Sequence, residues 1–212
     1  MTPSNLAAPL TETHKTAALF LSTCGPDECL ELRILGVTKK GTTFTSTVAG
    51  YFTDPVRLFQ AAESHTAQSG NAYVTLNPSP RASLSRYGEN AVKFLGKVDA
   101  TTGDKEVTRR TWLLLDFDPK RLSGIASSEL EHNAALTLAW EARETLLADG
   151  WPEPVFADSG NGAHLLYRID LPNDTAGTLL VENVLKSALA RFGTPEVGVD
   201  QVVFNAARIT RF

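Results

Sequence analysis

The run Thr111-Trp112-Leu113-Leu114-Leu115-Asp116-Phe117-Asp118-Pro119 constrains this chain more than any other stretch. Its near-continuous apolar character marks a buried strand, yet it ends on two aspartates one residue apart. Alternate side chains of a strand share a face. Both carboxylates therefore project together, about 7 Å apart, while Leu113, Leu115 and Phe117 point the other way into a core. Two unpaired carboxylates so placed repel each other and cost stability. A divalent cation that prefers oxygen ligands, Mg2+ or Mn2+, removes that cost and brings triphosphate oxygens with it. The plainer reading is a solvated strand end at which Asp118 caps the next turn, and an isolated Asp-x-Asp leaves both open.

The rest of the chain supplies strands and helices in alternation. CLELRILGV and TTFTSTVAGYF read as a strand pair around a turn containing Gly41. A helix is expected to start at Thr53-Asp54-Pro55, with Thr53 as cap, and NAYVTLNPSP reads as a strand stopped by prolines. Ser128 and Glu131 form a capping box for a helix with a stripe of Leu130, Ala134 and Leu138. PVFADSGNGAHLLYRIDLP reads as two strands around a Gly-rich turn. Asp174 caps a helix carrying Leu180, Val184 and Leu185 that ends at Gly193. EVGVDQVVFNAARITRF begins as a strand with no visible terminator, which suggests a chain cut short within a larger protein. Such alternation with hairpins indicates an α+β fold.

Composition narrows the class. The chain has 212 residues, 42% hydrophobic and 21% charged, with a formal charge of −4. This is the make-up of a soluble globular protein, and it argues against one that coats nucleic acid indiscriminately. The charge is unevenly spread: Arg81 to Arg121 holds nine Lys/Arg against six Asp/Glu, and the stretch from Glu129 to Asp158 is acidic. No apolar run approaches the roughly 20 residues of a membrane span, and the first residues do not read as a secretory signal. Cys24 and Cys29 fit reduced thiols of a cytosolic protein better than a disulfide framework, and no second pair completes a zinc site.

Two further elements carry chemistry. Ser159-Gly160-Asn161-Gly162-Ala163-His164 exposes backbone N–H groups of small residues as a concave anion nest. Ser159 adds a hydroxyl donor, and His164 opens the following strand. The same segment is equally a hairpin turn with a surface histidine. Asp200 reads as an acid inside an apolar strand, where a lone carboxylate is disfavoured. Arg208 follows, suited either to a phosphate or to a buried ion pair with Asp200, and Arg211 lies beyond. Three carboxylates, a phosphate nest and arginines are the requirements of two-metal phosphoryl transfer.

In order, DFD, SGNGAH and VD resemble the three motifs of the archaeo-eukaryotic primase superfamily. The wider stretches WLLLDFDPKR, WPEPVFADSGNGAHLLYRIDLP and FNAARITRF are similar to primase-polymerases of bacteriophages and mobile elements. The resemblance covers residues 51–212; residues 1–50, a lead-in and strand pair, have no assigned role. It implies an RRM-like mixed sheet as catalytic platform with an N-terminal α/β unit. It implies metal ligation by Asp116, Asp118 and Asp200, and nucleotide contacts from Ser159, Gly160, Asn161, Gly162, His164 and Arg208. The partners it implies are single-stranded DNA template, dNTP or NTP, and a helicase domain in the full-length protein. Arg109, Arg110, Lys120 and Arg121 flank the DFD strand. With Arg211, they are candidates for the template or the initiating nucleotide. Two other classes stay open: a non-catalytic nucleic-acid-binding module whose acids form internal ion pairs, and a glycosyltransferase using Asp-x-Asp alone.

Overall fold

The computed structural model describes residues 12–39, 41–67, 70–122 and 125–212. The chain forms two compact units, the first comprising Met1–Thr102 and Ile209–Phe212, the second Gly103–Arg208. The division falls between Thr102 and Gly103, whereas residue 50 lies inside a strand.

In the first unit, β1 (Glu28–Thr38) is the central strand. It pairs antiparallel with β2 (Thr45–Phe52) on one side and β3 (Asn71–Thr75) on the other, and its first residues pair with the short β4 (Ser79–Pro80). β5 (Ala91–Phe94) lies against β2, and the last strand, β10 (Ile209–Arg211), against β3. The ladder shifts register between Ile34 and Val37, where Gly36 takes φ 76°, a conformation open to glycine at little cost. Helix α1 (Glu12–Leu21) and helix α2 (Pro55–Thr66) complete the unit. The cap of α2 is Asp54, whose carboxylate accepts from Val56 N and Arg57 N, rather than Thr53. Thr53 instead donates its N–H to Asn90 and its hydroxyl to Glu89. Cys24 and Cys29 are free thiols, and burial pushes Cys29 up to about 12.

The second unit runs β6 (Arg109–Pro119), α3 (Glu129–Ala148), β7 (Val155–Asp158), β8 (Ala163–Pro172), α4 (Thr175–Phe192) and β9 (Val197–Val199). Its sheet has the order β7-β8-β6-β9. This is a βαββαβ unit, the split arrangement shared by ferredoxin-like and RRM sheets. The α+β class read from the sequence is therefore present. The sheet is antiparallel in every ladder, not mixed. The reason is topological: each helical crossover joins two strands that run the same way, and an oppositely directed strand separates them.

The helices show where simple periodicity misleads. The Ser128–Glu131 capping box forms, and Asp174 caps α4 by accepting from Gly177 N. The buried face of α3, however, is Ala135, Ala139, Ala142 and Leu146, while Leu130 is 84% exposed. Five residues separate Leu130 from Ala135, which is about 140° around the helix axis. In α4, Leu185 is buried as expected, but its companions are Gly177, Val181 and Ala188, and Leu180 is half exposed. Alanines make up most of the buried face of α3, whereas α4 buries a glycine, a valine, a leucine and an alanine. No helix among the described residues is long and apolar enough to cross a membrane.

Candidate functional site

Strand β6 sorts its side chains as alternation requires. Leu115 shares an apolar groove with residues of α3 and α4, which places the odd-numbered side chains on the helix side of the sheet. Asp116 and Asp118 project from the opposite face. Register then fixes their neighbours: Asp116 stands across from His164 on β8, and Asp118 from Gly198 on β9. Asp200 lies one residue beyond β9, not within it, and its N–H donates to the Asp116 carbonyl at 2.8 Å. Three carboxylates from the last turns of two adjacent strands are thereby gathered at one end of the sheet.

The charges around them do not balance. His164 Nε2 is 3.4 Å from Asp116 Oδ1, and both residues are only 7% exposed. Arg208 places Nη2 3.9 Å from Asp116 Oδ2 and 4.0 Å from Asp200 Oδ2, so one guanidinium is shared by two carboxylates. Burial raises the Asp118 carboxyl above its ordinary value and the Asp116 charge raises it further. Arg121 and His164 oppose this, and Asp200 adds a smaller upward push. Asp116 Oδ1 is buried and accepts no hydrogen bond.

These features bear on a divalent ion. Among the described residues, no three His, Cys, Asp or Glu side chains already converge as a metal cage. Asp200 is turned aside, with Oδ1 accepting from Val202 N at 2.8 Å and Oδ2 facing Arg208. Asp116 and Asp118 do suit an oxygen-seeking cation: one has an unsatisfied buried oxygen, and the other has a carboxyl whose ionisation the site disfavours until positive charge arrives. The pair fits the ion, whereas Asp200 stands engaged with Val202 N and Arg208.

The turn between β7 and β8 is a closed hairpin. Ser159 N donates to Gly162 O, Gly162 N to Ser159 Oγ at 3.0 Å, and Gly160 N to Asp158 Oδ1 at 2.7 Å. Three of the N–H groups expected to line an anion nest are thus engaged within the turn. Asn161 Oδ1 accepts from Ser127 N and Ser127 Oγ, which ties it to the segment before α3. Gly162 is required by close approach: a Cβ there would lie 2.0 Å from the Phe117 carbonyl oxygen.

The flanking cations separate. Arg110 is 4% exposed and donates to Phe204 O and Thr178 Oγ1. It stands six residues from Asp116 along β6, about 20 Å at strand rise, so it belongs to the far end of the sheet. Arg109 pairs with Asp170 at that same end. Lys120 donates to Thr194 O, and Arg121 to Ile125 O and Pro119 O. Arg121 lowers the Asp118 carboxyl, which puts it within electrostatic reach of the site. Arg211 lies on β10 of the first unit.

Sequence reading missed Ser127, His132 and Asp158. His132 Nε2 is 2.9 Å from Asp158 Oδ1, an acid beside the SGNGAH motif paired with a histidine of α3. The only signal in the sequence was His132 falling one helical turn past the Ser128 cap. No protein family, no curated protein and no solved structure gives a match to this chain.

Proposed function

We propose that residues 103–208 are the catalytic platform of a DNA primase-polymerase of the archaeo-eukaryotic primase superfamily, transferring nucleotides from dNTPs or NTPs onto a primer along single-stranded DNA. One observation carries the reading. Asp116 and Asp118 share one face of β6, and the sequence-distant Asp200 lies beside them just past β9, with His164 opposite Asp116 and Arg208 between Asp116 and Asp200.

Asp116 and Asp118 would hold Mg2+ or Mn2+, with Asp200 as third ligand. A bound divalent ion supplies charge neutralisation at the triphosphate and acidifies the attacking 3′-hydroxyl. Arg208, which stands between Asp116 and Asp200, would donate to the triphosphate. His164, held against Asp116, offers a second donor to the same group. Gly162 lets the turn lie against β6. The template, an attached helicase domain and a cytoplasmic setting belong to the same proposal.

A second reading is favoured by the Arg208 geometry: a non-catalytic nucleic-acid-binding module would also show an arginine between Asp116 and Asp200 as an internal ion pair. RRM sheets that bind single strands stack bases on aromatic side chains, whereas this end of the sheet presents carboxylates. Primer extension decides. A labelled primer on a single-stranded template, with dNTPs and Mg2+ or Mn2+, should be lengthened by the wild type and not by Asp116→Ala/Asp118→Ala. A wild-type protein that binds DNA yet neither extends primers nor shows metal-dependent dNTP binding in calorimetry is the binding module.

A further inference from the structure

We propose that His132 is a positioning residue for the incoming nucleotide, acting through Asp158 on the β7–β8 turn; the inference rests on the nucleotidyl-transfer reading above. Asp158 Oδ1 accepts from both His132 Nε2 at 2.9 Å and Gly160 N at 2.7 Å. One carboxylate oxygen therefore joins helix α3 to the first residues of the turn. At the apex, Asn161 Oδ1 accepts from Ser127 N at 3.2 Å and Ser127 Oγ at 3.3 Å. Both outer links end on the same short stretch, Ser127 to His132, whose backbone is fixed by the Ser128–Glu131 capping box. The turn is hung from α3 at its start and from the segment just before α3 at its apex.

His132 does not reach the reacting face itself. Asp158 pairs with Ala163 on the helix side of the sheet, and Ala157 pairs with His164 on the carboxylate side. What the link would control is where the turn sits, and the turn leads into the strand that sets His164 opposite Asp116. A turn that rocks would leave Asp116 and Asp118 in place but blur the donors that meet the triphosphate.

The pair is not a large stabiliser. Asp158 has 52% side-chain exposure and His132 24%, and exposed ion pairs contribute little to folding. A purely structural role therefore predicts almost no effect of its removal, and a positioning role predicts a selective kinetic effect. In primer extension with saturating primer–template, His132→Ala should raise the dNTP KM about fivefold or more and leave kcat within about twofold, because a misplaced binding group costs affinity for what it orients. His132→Gln, whose amide nitrogen reaches to a similar distance, should restore the KM. Asp158→Ala, which also frees Gly160 N, should raise the KM at least as much as His132→Ala, and the double variant should be no worse than Asp158→Ala alone, since residues of one link are not additive. An unchanged KM in His132→Ala, no rescue by Gln, additive effects, or a loss of kcat together with a fallen Tm would each overturn the proposal. A wild-type protein without any incorporation would refute the nucleotidyl-transfer reading itself, and the proposal with it. A wild type that extends primers beside a normal His132→Ala would refute the positioning role alone.

Discussion

Asp116 and His164 stand directly opposite each other on β6 and β8, with Nε2 3.4 Å from Oδ1 and both side chains nearly sealed from solvent. Neither residue has a reason to be there as packing. The sheet places a carboxylate and an imidazole where two apolar side chains would cost less, and the account assigns them to an ion and a triphosphate.

Removing His164 should therefore weaken nucleotide binding more than it weakens the fold. A charge-assisted contact is worth about 1.5–3 kcal/mol, so His164→Ala should lose roughly tenfold or more in dNTP affinity. Calorimetric titration with dNTP and Mn2+ checks this, with template binding expected to stay close to wild type.

Arg208→Ala should produce a similar loss of dNTP affinity. The variant also leaves Asp116 and Asp200 without their shared cation. Loss of the fold, with no folded protein left to titrate, would favour the internal ion-pair reading over the nucleotide-binding one.

The Asp118 carboxyl gives a pH signature. Its value in the fold is raised above the ordinary 3.8 by burial and by the Asp116 charge. A raised carboxyl stabilises the fold fully below the unfolded value, and that stability is lost as pH rises through the folded one. Without divalent ions, Asp118→Asn should therefore melt at nearly the wild-type Tm near about pH 4. It should melt above the wild type at neutral pH, with the gap opening as Asp118 ionises. Added Mg2+ or Mn2+ should raise the wild-type Tm and close the gap. A gap that does not change with pH would remove the carboxylate repulsion from the account.

Gly162→Ala tests the fit of the turn against β6. Its Cβ would meet the Phe117 carbonyl oxygen at 2.0 Å, a contact with backbone that cannot swing away. Overpacking of this kind costs about 1–3 kcal/mol, so the Tm should fall, and nucleotide incorporation with it as the turn is pushed off the strand. A melting curve and an extension assay on the same preparation read both effects.

Much of this was legible in the sequence because it follows from local rules. The Asp116/Asp118 pair needed only strand alternation, and the Ser128 and Asp174 caps needed only the chemistry of helix ends. Thr53 gave way to Asp54 because two adjacent residues both suit a cap, and Asp54 is the one placed to reach Val56 N and Arg57 N. The α3 stripe was misplaced because its packing residues are alanines, which periodicity counts no more heavily than an exposed leucine. Arg110 looked adjacent to the site in sequence, yet an extended strand carries it to the opposite end of the sheet. The His132–Asp158 link spans 26 residues, and no local pattern announces such a pairing.

The central claim is template-directed nucleotidyl transfer from the Asp116/Asp118 site, and single-nucleotide incorporation tests it most directly. A primer is annealed to a template with one chosen base at the next position, and each of the four dNTPs is offered separately with Mg2+ or Mn2+. The wild type should add the complementary nucleotide in clear preference to the other three, and Asp118→Asn should add none while remaining folded. Incorporation that ignores the template base, or an Asp118→Asn protein as active as the wild type, would contradict it.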